Sequence, residues 1–260
     1  MLKTITGQSG SRRLAALLIL CLTMLAVGQT PEAAGRGVLR LRVRLKIGDA
    51  TKGLSRKRFF LIKGSTTTAK SFLDALEQQP VVSRDCYYRG IGASEALISW
   101  LKENDCESVY CREVESKDVA VVPEFQHAVA AGEKEFQSQE LARKWINVNL
   151  SEDLRSGFYR RRQTGLQALL KQAEQLSQAP VLSVMTDRNG TAYFTEVEVG
   201  TYILSNLTPA EIGDNSELWN CEVIVKAGDI ATEKPFLISN KKDKNVKCVS
   251  LEKPLPACSR

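Results

Sequence analysis

From Leu39 to Ile47 the chain alternates without interruption, with Leu39, Leu41, Val43, Leu45 and Ile47 on one parity and Arg40, Arg42, Arg44 and Lys46 on the other. Period two is the repeat of a β-strand, so this segment predicts a strand with one buried apolar face and one cationic face. Alternate residues stand about 6–7 Å apart along a strand. The four cations therefore form a candidate anion-binding row for an acidic glycan, a lipid headgroup or an acidic partner. Cross-strand neutralisation by Glu196 and Glu198, which share the two-residue spacing, is the simpler expectation.

Global charge adds little to that local signal. The chain carries 36 Lys and Arg against 30 Asp and Glu, for a formal charge of +6. Lys3, Arg12 and Arg13 lead into a largely apolar run from Leu14 to Val27, followed by small and turn-forming residues. The run is shorter than the roughly 20 residues that span a bilayer. It predicts a secretory signal peptide over residues 1–28, with cleavage after Gly28 and alternatives at Ala33 or Ala34. Cleavage removes three cations and no acid, leaving 33 against 30. A secreted or periplasmic protein without a transmembrane span in the mature chain is expected, and nucleic acid is not an expected partner.

Loss of Cys21 with the leader leaves Cys86, Cys106, Cys111, Cys221, Cys248 and Cys258. An even set in an oxidising compartment predicts disulfides. Zinc needs close cysteine pairs or neighbouring histidines, and His127 is the one histidine, so no metal is expected. Three of these cysteines precede residue 180 and three follow residue 220, so complete pairing requires one or three bridges between the two regions. A local Cys106–Cys111 loop would leave Cys86 for Cys221, Cys248 or Cys258.

Arg58 to Lys63 reads as a second, more buried strand. Residues 65–180 then read as mainly helical, with starts at Thr68, Ser94, Pro123 and Ser151, a short helix around Leu141, Trp145 and Ile146, and stops at Pro80 and Pro180. Strand signals return at Val181. The Asp187–Gly190 stretch predicts a hairpin turn between 181–186 and 191–195, because Asn-Gly readily supplies positive φ. Strands are expected over 201–205, 221–226 and 235–239, with a turn at Gly228 and Asp229. Residues 241–260 are expected to be an irregular, disulfide-anchored tail.

The segment Thr186-Asp187-Arg188-Asn189-Gly190-Thr191-Ala192-Tyr193-Phe194, followed by Val197 and by Gly200, Thr201, Tyr202 and Leu204, resembles the signature of carboxypeptidase regulatory-like domains. Val223-Ile224-Val225-Lys226-Ala227-Gly228 is similar to a later strand and turn of that family. The resemblance implies a transthyretin-like antiparallel β-sandwich over 37–64 and 181–240, interrupted by a helical insertion over 65–180. The fold class implied is α+β. It also implies that Phe194, Val197, Tyr202 and Leu204 face the sandwich core. Such modules accompany peptidases, outer-membrane receptors and other secreted proteins, and one histidine does not supply a carboxypeptidase zinc site.

Several polar features invite chemistry. Arg155, Arg160, Arg161 and Arg162 cluster on the longest predicted helix, where a solvated face is the commoner outcome than oxyanion binding. Tyr87, Tyr88 and Arg89 form a candidate pocket, with Trp100 and Trp145 as further lining. The simpler expectation is a disulfide-anchored turn whose tyrosines cap the helical core. His127 is expected at the surface. No nucleophile elbow, metalloprotease helix, phosphate loop or dinucleotide fingerprint occurs, so no catalytic residue and no cofactor is expected. Asn149, Asn189 and Asn206 begin chance glycosylation sequons.

The leading expectation is a non-enzymatic exported binding or structural protein at the cell envelope or beyond it, with a protein, glycan or envelope partner. An exported hydrolase or hydrolase accessory is the second. Its sign would be a pocket near Tyr87, Tyr88 and His127 with converging carboxylates. A binder of acidic polymers through the Arg40–Lys46 face is the third.

Overall fold

In the computed structural model, which describes residues 35–226 and 234–258, the alternating segment forms strand β1 (Arg36–Ile47). Leu41, Val43 and Leu45 are enclosed, Arg44 and Lys46 are exposed, and Arg40 and Arg42 are half-buried. The predicted signal peptide and the Gly228–Asp229 turn lie outside the described residues.

β1 is the spine of a five-stranded sheet. β2 (Ala50–Gly53) folds back antiparallel on its second half, and β5 (Thr191–Glu198) pairs antiparallel with its first half. On the other edge β10 (Phe236–Ser239) runs parallel to β1, and β11 (Cys248–Val249) runs parallel beyond it. A four-stranded antiparallel sheet has the order β4 (Leu182–Met185), β3 (Arg58–Lys63), β6 (Gly200–Ser205), β9 (Asn220–Val225). β12 (Leu251–Pro254), β8 (Asn215–Leu218) and β7 (Ala210–Ile212) make a small third sheet.

The two larger sheets share one apolar core. Leu41, Val43, Phe194 and Val197 come from the five-stranded sheet, and Phe59, Leu61, Tyr202, Leu204 and Val223 from the four-stranded sheet. Trp219 joins them, its ring 5.8 Å from that of Phe59 and its indole N–H donating to the Ser239 carbonyl at 3.0 Å. The opposite face of the four-stranded sheet is also apolar. There Phe60, Ile62 and Ile203 pack against Phe72 and Leu76 of α1 (Lys70–Gln78) and Leu166, Leu169 and Ala173 of α7 (Phe158–Ser177). Cover on both faces explains why residues 59–62 read as a continuous apolar run instead of alternating.

The chain between β3 and β4 is helical. α2 (Arg84–Gly90), α3 (Glu95–Glu103), α4 (Ser116–Val121), α5 (Pro123–Phe136) and α6 (Gln139–Lys144) lie between α1 and α7. They enclose a separate core around Tyr88, Leu97, Leu101, Phe125 and Phe158. Ser94 caps α3 by accepting from the Leu97 amide, and Pro123 occupies the first turn of α5, where its missing N–H is no loss. Residues 84–90 are a helix and not a simple turn, because the Ser83 hydroxyl accepts from the Cys86 amide and starts it.

Three disulfides hold these parts together. Cys86–Cys258 ties α2 to the tail, Cys106–Cys111 closes a local loop, and Cys221–Cys248 joins β9 to β11 at the edges of the two larger sheets. One bridge thus connects the helical stretch to the chain after residue 220, as cysteine parity allows. A second tie is polar: Glu211 on β7 accepts from the Arg84 amide at 2.6 Å, while burial pushes the Glu211 carboxyl above its ordinary range.

Three strand expectations are corrected. The sheets are not antiparallel throughout, since β10 enters the five-stranded sheet alongside β1 in the same direction. The tail is not irregular, because β11 and β12 find ladders on β10 and β8. Nor is Asp187–Gly190 a hairpin turn, for β4 and β5 belong to different sheets. The local chemistry is as expected: the Asp187 carboxylate accepts from the Asn189 and Thr191 amides at 2.8 Å, and Gly190 has φ of +73°. That chemistry reverses the chain without specifying which strands it joins.

The turn is seated on β1. The Val43 amide donates to the Gly190 carbonyl at 2.7 Å, and a side-chain carbon at Gly190 would lie 2.3 Å from the Val43 carbonyl oxygen. Gly190→Ala meets both positive φ and a backbone clash, so it is expected to cost about 2 kcal/mol. A urea unfolding midpoint equal to that of the wild type would contradict this.

Candidate functional site

The outer face of the five-stranded sheet carries the cationic row. Register places Tyr193 opposite Arg40, Thr191 and Leu237 beside Arg42, Gly53 and Ser239 beside Arg44, and Thr51 opposite Lys46. None of these neighbours is acidic. Cross-strand neutralisation, expected from Glu196 and Glu198, falls elsewhere. β5 runs antiparallel to β1, so its acidic end lies at the start of β1, where Glu198 is opposite Arg36. Glu196 pairs with Arg36 at 3.1 Å, and Glu198 pairs with Lys63 of β3 at 3.1 Å. Donating that hydrogen bond to Glu198, reinforced by the carboxylate's charge, holds the Lys63 ammonium above its ordinary range.

Arg40, Arg42, Arg44 and Lys46 have no ion pair among the described residues. The Arg40 guanidinium lies 5.9 Å from the centre of the Tyr193 ring. The Nε atoms of Arg40 and Arg42 are shielded from water and hydrogen-bonded to nothing. Guanidinium and ammonium groups offer donors and no acceptors, so the face is chemically suited to oxyanions.

Two open depressions lie on this face. One, of about 310 Å³, is lined by Arg42, Arg44, Thr51, Lys52, Gly53, Arg188 and Asn189. The inter-sheet turn seated on β1 brings Arg188 and Asn189 to it. The other, of about 320 Å³, is lined by residues that include Arg44, Lys46, Thr51, Ser239, Lys241, Lys242 and Asp243. Here Asn240 positions the lysines: its side chain accepts from the Lys46 amide at 2.8 Å and donates to the Lys46 carbonyl at 3.1 Å, continuing the β1–β10 ladder. Lys241 also pairs with Glu252 at 2.9 Å, which raises its pKa.

Sequence reasoning identified the row on β1 and missed Lys52, Arg188, Tyr193, Lys241 and Lys242. Tyr193 carried a usable signal, since it alternates with the inward Ala192 and Phe194. Lys52 comes with β2, Arg188 with the inter-sheet turn, and Lys241 and Lys242 with the chain that follows Asn240.

The remaining sequence candidates are scattered. Tyr88 is fully enclosed in the helical core, where burial pushes its phenol up, and Tyr87 packs on Tyr88 and Phe158 with its hydroxyl 3.4 Å from the Asp153 carbonyl. Arg89 points outward to Glu95 at 2.8 Å. The helix that carries them turns its two tyrosines into the helical core, the capping role expected of them, and Arg89 to the opposite side. Trp100 is buried edge-on against Phe125, whereas Trp145 and His127 are exposed. In the arginine cluster, Arg160 pairs with Glu152 and Arg162 with Glu107, while Arg155 donates to the Asn147 carbonyl. Asn206 is buried, donates to the Glu217 carbonyl and accepts from the Trp219 amide, so its sequon serves packing.

A smaller cavity of about 120 Å³ lies between α7 and the β3 region, lined by residues that include Lys57, Glu107, Arg162 and Thr208. Its one carboxylate, Glu107, is already held by Arg162 and by Lys57 at 3.7 Å. Tyr87, Tyr88 and His127 are not among its walls.

No protein-family model matches this chain, and no curated protein and no solved structure matches it significantly. Among the described residues, no group of three or more His, Cys, Asp or Glu is placed to hold a metal ion, and no helix is long and apolar enough to cross a membrane.

Proposed function

We propose that this is an exported, non-enzymatic binding protein that holds acidic polymers on the Arg40–Lys46 face. The observation that carries the reading is the row of Arg40, Arg42, Arg44 and Lys46, which has no acidic cross-strand neighbour and no ion pair among the described residues and is open to solvent at Arg44 and Lys46. Leaving several like charges adjacent on a sheet is unfavourable in the free protein, and an anionic ligand relieves it.

The scaffold we propose is a transthyretin-like β-sandwich of the carboxypeptidase regulatory-like kind, with 65–180 as its helical insertion. Support comes from the Thr186–Phe194 and Gly200–Leu204 motifs and from the single core between the two larger sheets. Phe194, Val197, Tyr202 and Leu204 all lie in that core. The basic and apolar N-terminus and three disulfides support export to the periplasm or the exterior, where acidic envelope polymers occur.

Titration of the full mature chain with dextran sulfate at low and physiological salt tests the reading. Binding is expected to weaken as salt rises, because each contact releases condensed counterions. The Arg40→Gln, Arg42→Gln double variant is expected to lose about tenfold in affinity at low salt. The Arg160→Gln, Arg161→Gln variant, on the far helix, is expected to bind as the wild type does. Salt-insensitive binding, or equal losses in both variants, would refute it.

A further inference from the structure

We infer that the two depressions beside Arg44 act as one site and that its ligand is a glycan carrying sulfate or phosphate esters on neighbouring units. The inference rests on the polyanion reading above and adds the ligand's chemistry. Arg44 and Thr51 line both depressions, with Arg42, Lys52 and Arg188 on one side and Lys46, Lys241 and Lys242 on the other. The residue pairs that define them, Arg42 with Arg44 and Arg44 with Lys46, are offset by one strand repeat, about 6–7 Å. Arg44 thus stands between two anion positions, and a ligand with linked oxyanions engages it from both.

The uncharged groups choose among polyanions. Thr51, Ser239 and Asn189 interleave with the cations and offer hydrogen bonds to neutral hydroxyls. Asp243 lines the second depression, and an ionised carboxylate only accepts hydrogen bonds. Sugar hydroxyls can donate to it. A bare polyphosphate at neutral pH has acceptor oxygens alone and is repelled. Tyr193 is 53% exposed in register with Arg40 and presents a ring on which a sugar can lie. Sequence-independent binding of single-stranded nucleic acid uses successive aromatic platforms, and among the described residues this row has the single ring of Tyr193.

The test is calorimetric titration of the full mature chain with dextran sulfate, phosphorylated dextran, glucose 6-sulfate, polyphosphate and single-stranded DNA, the polymers matched in charge and salt. Both esterified dextrans are expected to bind at least about tenfold more tightly than glucose 6-sulfate, polyphosphate or DNA, the gain over the monosaccharide arising from linkage of the two anion positions. A preference between the two dextrans identifies the ester. Arg44→Gln is expected to lose more affinity than either Arg42→Gln or Lys46→Gln, because it serves both sides. Asp243→Asn is expected to improve polyphosphate binding while leaving dextran sulfate no tighter, and circular dichroism checks that each variant is folded.

Tighter binding of polyphosphate or DNA would overturn the glycan assignment and leave the polyanion reading standing. An Arg44→Gln loss no larger than that of its neighbours would mean two separate anion sites. Failure of every polymer to bind would remove the underlying reading as well.

Discussion

Arg112→Ala is expected to lower the unfolding free energy by about 2 kcal/mol, since removing the half-buried member of this ion pair strands its buried partner. The Arg112 guanidinium meets both Asp118 oxygens at 2.8 Å, donates to the Asn104 side chain at 2.8 Å and covers the Trp100 ring at 4.8 Å. Asp118 is buried and also accepts from the Glu115 amide at 2.7 Å, fixing the start of α4. Without Arg112 the carboxylate loses its fork in a place that water scarcely reaches.

The same pair sets a pH signature. Burial pushes the Asp118 carboxyl up, but the Arg112 fork and the Glu115 amide together outweigh it and hold the pKa below the ordinary 3.8. A depressed carboxyl stabilises the fold above its unfolded pKa, and that contribution fades as pH falls through the folded value. In Arg112→Ala the balance moves back toward burial, so the variant's deficit is expected to be greatest near neutrality and to narrow below about pH 4. Arg112→Lys keeps a charge without the fork and should fall between the two. Guanidinium chloride unfolding across this range measures all three, and a deficit that widens on acidification would contradict the argument.

Replacing Cys86 and Cys258 together by serine is expected to cost about 4 kcal/mol, because a bridge across a long loop removes much of the unfolded chain's freedom. These cysteines are 172 residues apart in sequence, and the bond fastens α2 of the helical stretch to the tail that carries β12. Cys106 and Cys111 are only 5 apart, so the matching double-serine variant should lose about 2 kcal/mol. Denaturant unfolding of the two variants checks the order. Protease digestion adds a spatial readout, since freeing Cys86 should expose the helical stretch to cleavage earlier than freeing Cys106 does. Equal losses would mean that loop length is not what these bridges control.

Much of the candidate site was legible in residue order. Parity alone placed Arg40, Arg42, Arg44 and Lys46 together on one face of a strand, and the enclosed Leu41, Val43 and Leu45 confirm the face opposite. Whether that face was neutralised was not legible, because the answer depended on which end of β5 met which end of β1. Glu196 and Glu198 had suitable spacing but arrived at Arg36 and Lys63. The stretch around Tyr87 and Tyr88 allowed two readings, a lined pocket or tyrosines capping the helical core, and burial of the rings belongs to the second. Aromatic, cationic and glycine residues suggested a pocket, yet helical periodicity turned both rings toward Phe158.

By itself the amino-acid order determined the alternating strand, a mainly helical stretch between the two groups of strands, and the parity that demanded an odd number of bridges between two regions if all six cysteines pair. These follow from steric periodicity and counting, which act over a few residues or need no geometry. Tertiary structure alone decided that Asp187–Gly190 passes between sheets, that β10 runs parallel to β1, and that Arg188, Lys241 and Lys242 gather around Arg44. Pairing between distant strands is chosen by the burial of whole faces. The local sequence of a strand specifies which face is apolar and leaves open which neighbour will lie beside it.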